Sequence, residues 1–337
     1  MRIGLLGCGS VAWWIHRRAL AGIRGVTLAA AADPDPDARR RFARASGVLV
    51  CERADDLLGR GDIDAVLICA PTHLHAPLAL AAAAAGKSFY LEKPIATTLD
   101  DARCVVAAIR TGLTAAIGFN RRHHPLFEQA RALLAEGAIG RVHGIQTSFC
   151  EPGAPDRMPA WKRRRATGGG VLLDLASHHI DAVRWMLAAE VRVVSSAIES
   201  RGTEQDEARL ALETDTGASA QCFFSFRAGP VERLDFIGDR GTLRIDRHSA
   251  RLTLSRQRGR GYGAREVPVL PTPAVLRWRV ERAWRPAADP SYRRALGAFI
   301  EEVRGGAARG AARGATLTDG LRSLEAVVAA EDACASS

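Results

Sequence analysis

Residues 1–12, MRIGLLGCGSVA, decide the fold. A short apolar run, RIGLLG, passes into Gly7, Gly9 and Ala12 in the spacing G-x-G-x-x-A, and a helical pattern starts near Val11. The first glycine of such a turn permits a tight reversal, the second lets the backbone approach a pyrophosphate, and the alanine allows close helix-to-strand packing. Ser10 and Val11 stand where the helix amino terminus directs N–H donors at an anion. A second run, VTLAAAA, ends at Asp33, 24 residues after Gly9. An acidic side chain there accepts hydrogen bonds from ribose hydroxyls and repels a 2′-phosphate. The expected cofactor is therefore NAD in preference to NADP, with Arg39, Arg40 and Arg41 nearby to soften the discrimination.

Working outward, AVLICA, SFYLE and TAAIGF read as further buried strands, and segments such as DARRRFARASG and HAPLALAAAAAGK between them read as helices. This alternation predicts an α/β domain over residues 1–120, a doubly wound parallel sheet of Rossmann type. Beyond Asn120 the texture changes. PLFEQARALLAEG is helical, GRVHGIQTSFCE is a strand, and residues 167–187 are helical. From Val191 to about Leu254 come VRVVSSAIES, ARLALET, ASAQCFFSFR, ERLDFIG, GTLRID and RLTLSR, with TDTGA and GDRG as hairpin turns. Residues 121–337 are thus expected to form an α+β domain with an open, mostly antiparallel sheet. Residues 259–273 carry loop chemistry, and RWRVERAWRP predicts a short amphipathic helix whose Trp278 and Trp284 pack inward, with a partner surface or a lid as the alternative. AARGAARGA is expected to link two closing helices.

Composition narrows the function classes. The 337 residues are enough for about two domains. The apolar run APLALAAAAAG stops at a glycine and a lysine, short of a membrane span. The amino terminus has no secretory pattern, and the seven cysteines form no C-x-x-C pair, so reduced thiols, a cytoplasmic location and no metal site are expected. The net charge of +10 is spread along the chain, which argues against a nucleic-acid surface. Only WKRRR, residues 161–165, is dense; it reads as a solvated loop or as a clamp for a substrate phosphate or carboxylate, with Trp161 a substrate contact. Lysine occurs only at 87, 93 and 162, and it alone among the basic pair readily gives up a proton.

Two motifs carry chemistry. YLEKPIATT sets Glu92, Lys93 and Pro94 just after what reads as the fourth strand, at the sheet edge where such folds bind ligands. GGGVLLDLASHHIDAVRW, residues 168–185, places Asp174, His178 and Asp181 at i, i+4 and i+7, along one face of a helix, where Asp181 lines a pocket or only orients His178 or a neighbouring arginine. The three glycines before it would let backbone come close to cofactor or substrate. His179 points round the helix and reads as structural.

With G-x-G-x-x-A, EKP and GGGVLLDLASHHID in this order, and with residues 70–94 and GFNRRHHP also matching, the sequence resembles the glucose-fructose oxidoreductase and inositol dehydrogenase family, Gfo/Idh/MocA, over most of its length. The resemblance implies a carboxy-terminal sheet used for association, hence a homodimer or homotetramer. It implies that Lys93 contacts the reacting hydroxyl or carbonyl, and that Asp174 and His178 hold the substrate and exchange its proton. It also brings Thr72 and His75 near the nicotinamide half, with an N-cap role for Thr72 as the alternative, and lets Asn120 reach the site from the domain junction. The implied activity is hydride transfer between nicotinamide and a sugar or cyclitol carbon. A glycosidase working by transient oxidation with retained NAD and a non-catalytic nucleotide sensor are the alternatives.

Overall fold

The computed structural model describes residues 1–153, 155–257, 264–285, 288–305 and 314–335. Two compact units divide the chain: Met1–Asn120 with Ala166–Gly168 and Ser291–Leu324, and Arg121–Arg165 with Gly169–Pro290 and Glu325–Ser337.

The first unit is built on six parallel strands: β1 (Arg2–Leu6), β2 (Thr27–Ala32), β3 (Leu49–Cys51), β4 (Ala65–Ile68), β5 (Ser88–Leu91) and β6 (Ala115–Ile117). Their order, β3-β2-β1-β4-β5-β6, reverses direction between β1 and β4, which is where a doubly wound sheet opens its ligand crevice. The strands β4 and β5 are buried along their whole length because helices cover both faces, which explains their unbroken apolar runs. α1 (Arg17–Ala21) continues a single π-helical turn, Ala12–His16. α2 (Pro36–Ser46) starts on an Asp35 cap with proline in its first turn and stops at Gly47 in the left-handed region, φ 68°. α3 (Ala54–Leu58), α4 (His75–Ala84) and α5 (Leu99–Ala107) follow. Lys87 spends its ammonium on the carbonyls of Arg60 and Ile63, both at 2.8 Å, and so serves structure.

The second unit opens with α6 (Pro125–Ala135) and holds an eight-stranded sheet: β7 (Val142–Cys150), β8 (Val191–Glu199), β9 (Glu207–Thr214), β10 (Ser219–Ser225), β11 (Val231–Gly238), β12 (Gly241–Asp246), β13 (Arg251–Gln257) and β14 (Ala264–Pro268). The order is β14-β13-β12-β11-β7-β10-β9-β8, antiparallel except for the β7–β10 pair. α7 (Ser177–Leu187) rests on this sheet: His179 stacks on Phe149 at 5.1 Å and its Nδ1 meets the Thr147 hydroxyl. Burial pushes the His179 pKa down to about 4, so the ring is a neutral packing element, as expected from its position on the helix. Beneath it, Glu232 is fully buried between Arg121 and Arg247, and Asp289 completes the cluster. α8 (Pro273–Trp284), α9 (Ser291–Val303) and α10 (Leu317–Ala335) close the chain.

Several details depart from expectation. β3 is three residues long and half-exposed, too short to show as an apolar run, so Lys93 follows the fifth strand and not the fourth. Part of the expected loop 259–273 forms β14, paired with β13; residues 258–263 lie outside the described residues, as does the linker at 306–313. Trp278 is buried, but Trp284 is 85% exposed, because α8 presents only one face inward. A single boundary at residue 120 also needs amendment. α9 belongs to the first unit, where Ala295, Leu296, Phe299 and Ile300 join Ile3, Leu5 and Tyr90 in one apolar core.

Candidate functional site

The glycine turn has the geometry its spacing predicts. Gly7 adopts φ +95°, and a Cβ there would sit 2.8 Å from the Ala70 nitrogen; only glycine meets both demands. Gly9 faces space empty of protein atoms within 4 Å, the opening through which a pyrophosphate can approach the backbone. Ser10 and Val11 are exposed at the head of the helix, and Ala12 is fully buried against the strand. Asp33 ends β2 with its carboxylate braced by two backbone amides, Cys8 at 2.7 Å and Asp35 at 2.8 Å. This ties the acidic side chain to the turn it must serve. The residues present fit a dinucleotide.

At the next strand ends the picture is more crowded. Glu92 turns inward, 2.6 Å from His16, and Gly118 leaves the room its carboxylate needs, since a Cβ there would lie 2.9 Å from Oε2. Burial disfavours charge on His16, but Cys69 and the Glu92 carboxylate outweigh it and push the imidazole pKa up to about 10. A buried ion pair thus stands directly beside Lys93, which is itself partly exposed and joined to Pro94 by a cis peptide. Nothing in the spacing of the sequence announced His16. The π-helical turn at 12–16, which shifts the register of the first helix, places it.

Thr72 is buried in a short 3-10 turn and caps no helix; α4 begins without a side-chain cap. It packs against Gly168, whose Cβ would lie 2.2 Å from that of Thr72. His75 is buried with Nδ1 2.6 Å from the Pro94 carbonyl and Nε2 2.9 Å from that of Ala70. Both ring nitrogens face backbone, so its role is to brace the two loops that follow β4 and β5. Burial lowers its pKa. Asn120 is likewise fully buried and donates to the Ser291 hydroxyl at 2.8 Å, anchoring α9 from within instead of reaching outward.

In the second unit, Asp174 lies in a π-helical turn, Leu172–Ala176, that leads into α7, and it is only partly exposed. His178 stands one turn on, 7% exposed, with its ring 6.2 Å from that of Phe149. Asp181 does not join them: it is fully buried and bridged to Arg122 by hydrogen bonds of 2.6 and 2.9 Å. The step from His178 to Asp181 lies within regular α7, so it is the Arg122 pairing, and not the helix period, that takes Asp181 out of reach.

The three glycines approach protein in place of ligand. Gly169 lets the Lys162 carbonyl come to 2.2 Å of where its Cβ would be, and Gly170, at φ +91°, packs on Gln205. Within WKRRR, Arg163 and Arg164 are exposed as a solvated run would have them, whereas Lys162 pairs with Asp174 at 2.9 Å and Arg165 with Glu331. Trp161 is half-buried, its ring 5.6 Å beneath the Lys162 ammonium.

Comparison with known proteins agrees with this geometry. Residues 1–119 match the family model described as oxidoreductase family, NAD-binding Rossmann fold, and residues 127–244 match that of the GFO/IDH/MocA C-terminal domain. An inositol 2-dehydrogenase of Rhizobium meliloti is 33% identical over 254 residues, 72% of this chain and 74% of the relative. A dTDP-3,4-didehydro-2,6-dideoxy-alpha-D-glucose 3-reductase of Streptomyces violaceoruber is 32% identical, covering 73% of each. A 3-ketoreductase from Actinomadura kijaniata, solved in complex with NADP and TDP-benzene, superposes with a TM-score of 0.81 at 26% identity, covering 99% of this chain and 97% of the other.

Proposed function

The chain belongs to the Gfo/Idh/MocA oxidoreductase family, and from that premise we propose that it oxidises or reduces a secondary alcohol or ketone carbon of a sugar, cyclitol or sugar derivative with a nicotinamide cofactor. The observation that carries the reading is the glycine turn itself. Gly7 is forced, Gly9 is open, and the Asp33 carboxylate is braced against the turn at the point where the sheet order reverses. When bound, the nicotinamide ring takes up or gives back the hydride of the reacting carbon.

The chain's own groups handle charge and protons. In the oxidation direction His178 takes the hydroxyl proton, Lys93 donates a hydrogen bond to the reacting oxygen and stabilises its negative charge, and Asp174 accepts from a neighbouring hydroxyl to fix ring orientation. The alcohol leaves as a ketone and one proton stays with the protein. Trp161 offers an apolar face to the substrate ring, and His75 braces the loops after β4 and β5 that would border the cofactor, with Thr72 beside them. Losing a proton-handling group costs about 10²- to 10⁴-fold in rate. Lys93→Ala should still bind NADH while turnover on myo-inositol, aldoses and nucleotide sugars collapses; near-normal turnover would overturn the assignment.

We further propose NAD as the preferred cofactor, supported by Asp33 and by Arg39, whose guanidinium is held by the carbonyls of Asp33 and Pro34. A cleft of about 460 Å³ lined by Trp13, Asp37, Arg40, Arg41, Arg44 and Ala45 lies against α2 and works the other way, although Asp37 pairs with Arg40. A higher affinity for NADPH than for NADH would refute the preference. Association through the second unit's sheet is supported by Val194, Ile237 and Val267, all substantially exposed on its strands. A reducing, cytoplasmic setting is supported by free thiols at every cysteine, with burial pushing Cys8 and Cys222 up to about 12.

A further inference from the structure

We propose that Lys162 is a positioning residue for the catalytic helix, acting through the hydrogen bond its ammonium gives to Asp174. The proposal rests on the oxidoreductase reading and extends it by one residue. Three observations lead to it. First, the contact is direct and well made, Nζ to Oδ2 at 2.9 Å, with the ammonium 5.6 Å from the Trp161 ring centroid. Second, the segment carrying Lys162 is fixed on both sides. The Lys162 amide donates to the Pro159 carbonyl at 2.9 Å, the Arg163 carbonyl accepts from Glu204 at 3.1 Å, and the Arg164 carbonyl accepts from Gly169 at 2.9 Å. Gly169 is what permits this closeness, because any side chain there would strike the Lys162 carbonyl. Third, the pair is accessible. Lys162 and Asp174 are 33% and 20% exposed at their side chains, whereas Arg122–Asp181 on the same helix is 9% and 0%.

Those exposures separate two uses of an ion pair. The Arg122 pair is shut in protein and can only support the fold. The Lys162 pair is partly open, so a substrate hydroxyl can reach it as well as its protein neighbours. The carboxylate outweighs burial and raises the Lys162 pKa, with Glu151 adding to the effect, so both partners are charged at neutral pH. An ammonium has three donors, of which Asp174 takes one. The pair therefore presents a donor and an acceptor side by side with no net charge, suited to adjacent neutral hydroxyls of a polyol. Lysine also holds the Asp174 side chain in one rotamer before substrate arrives, so that cost is not met on binding.

The test compares wild type with Lys162→Met and Lys162→Arg, using NAD with myo-inositol, free aldoses and a nucleotide sugar as probes. Lys162→Met is expected to lower kcat/KM by about 10²-fold, the scale associated with misplacement of a reacting group by about 1 Å. NADH affinity and melting temperature should stay at wild-type values, and Lys162→Arg should restore most of the loss because it keeps the charge and the donor. In the Asp174→Asn background, Lys162→Met should cost almost nothing further. Near-wild-type activity of Lys162→Met, an arginine variant as impaired as the methionine one, or additive losses in the double variant would each overturn the proposal. If Lys162→Met does not fold, Lys162→Gln takes its place in the same comparison. A wild-type protein that turns over none of the probes with NAD or NADP is a separate failure, that of the oxidoreductase reading, and takes this proposal down with it.

Discussion

Replacing Asp181 with asparagine tests whether this side chain builds the fold or works on substrate. The substitution preserves shape and removes charge. It leaves the Arg122 guanidinium, 9% exposed, without the carboxylate that meets its Nε at 2.9 Å and its Nη2 at 2.6 Å. Breaking a buried pair by removing one partner costs roughly 3–5 kcal/mol, since the remaining charge is left uncompensated. A domain of this size exposes much surface on unfolding, and a urea slope of about 3 kcal/mol/M turns that cost into a midpoint shift of roughly 1–1.7 M. Urea titration followed by tryptophan fluorescence measures it, and kcat is read on the fraction still folded. Asp181→Asn should shift the midpoint by this amount and leave kcat close to wild type. Paired with Arg122→Met, the double variant should recover part of the loss. An unchanged midpoint together with a collapsed kcat would refute the structural assignment and return Asp181 to the chemistry.

Three further outcomes follow from the same structure. Gly9→Ala adds a methyl group into space free of protein, so its melting temperature should hold while NADH binding, measured by fluorescence titration, weakens by about tenfold or more. Gly169→Ala places a methyl group against the Lys162 carbonyl, and the overpacking should cost about 1–3 kcal/mol in chemical denaturation. Glu232 supplies a pH dependence with a definite sign. Burial opposes its ionisation, but Arg121 and Arg247 prevail and lower its pKa to about 2 from the ordinary glutamate value of 4.5. Its stabilisation is therefore complete above pH 4.5 and lost as pH falls from there toward 2, on the order of 3 kcal/mol in all. Denaturation midpoints between pH 6 and pH 3 should show this decline, and Glu232→Gln should flatten that part of it.

Local pattern made much of this protein legible. Adjacent residues fix turn and period, so RIGLLGCGSVA alone implied strand, turn and helix, and the apolar runs implied a parallel sheet with covered faces. The hairpin turns likewise implied the open antiparallel sheet of the second unit. The glycine turn, EKP and GGGVLLDLASHHID in that order carry the family resemblance, which the family models match. What the sequence left open concerns partners far apart in the chain. His16 meets Glu92 across 76 residues and Arg122 meets Asp181 across 59, and no period along the chain encodes such meetings. The π turns at 12–16 and 172–176 each add a residue that a uniform helical count misses, and Asp181 is taken up by Arg122, a partner that spacing along the helix does not show. His75 and Asn120 turned inward for a related reason: His75 meets two backbone carbonyls and the Asn120 amide meets the Ser291 hydroxyl, and only the folded chain shows which partners lie within reach. α9 joined the first unit because its apolar stripe found the β1 and β5 core, a match of surfaces that order along the chain does not record. Sequence determined the elements and the chemical types at the site, because those follow from neighbours in the chain. Tertiary structure decided which charges are spent on folding and which remain for substrate, because that depends on what each group meets in space.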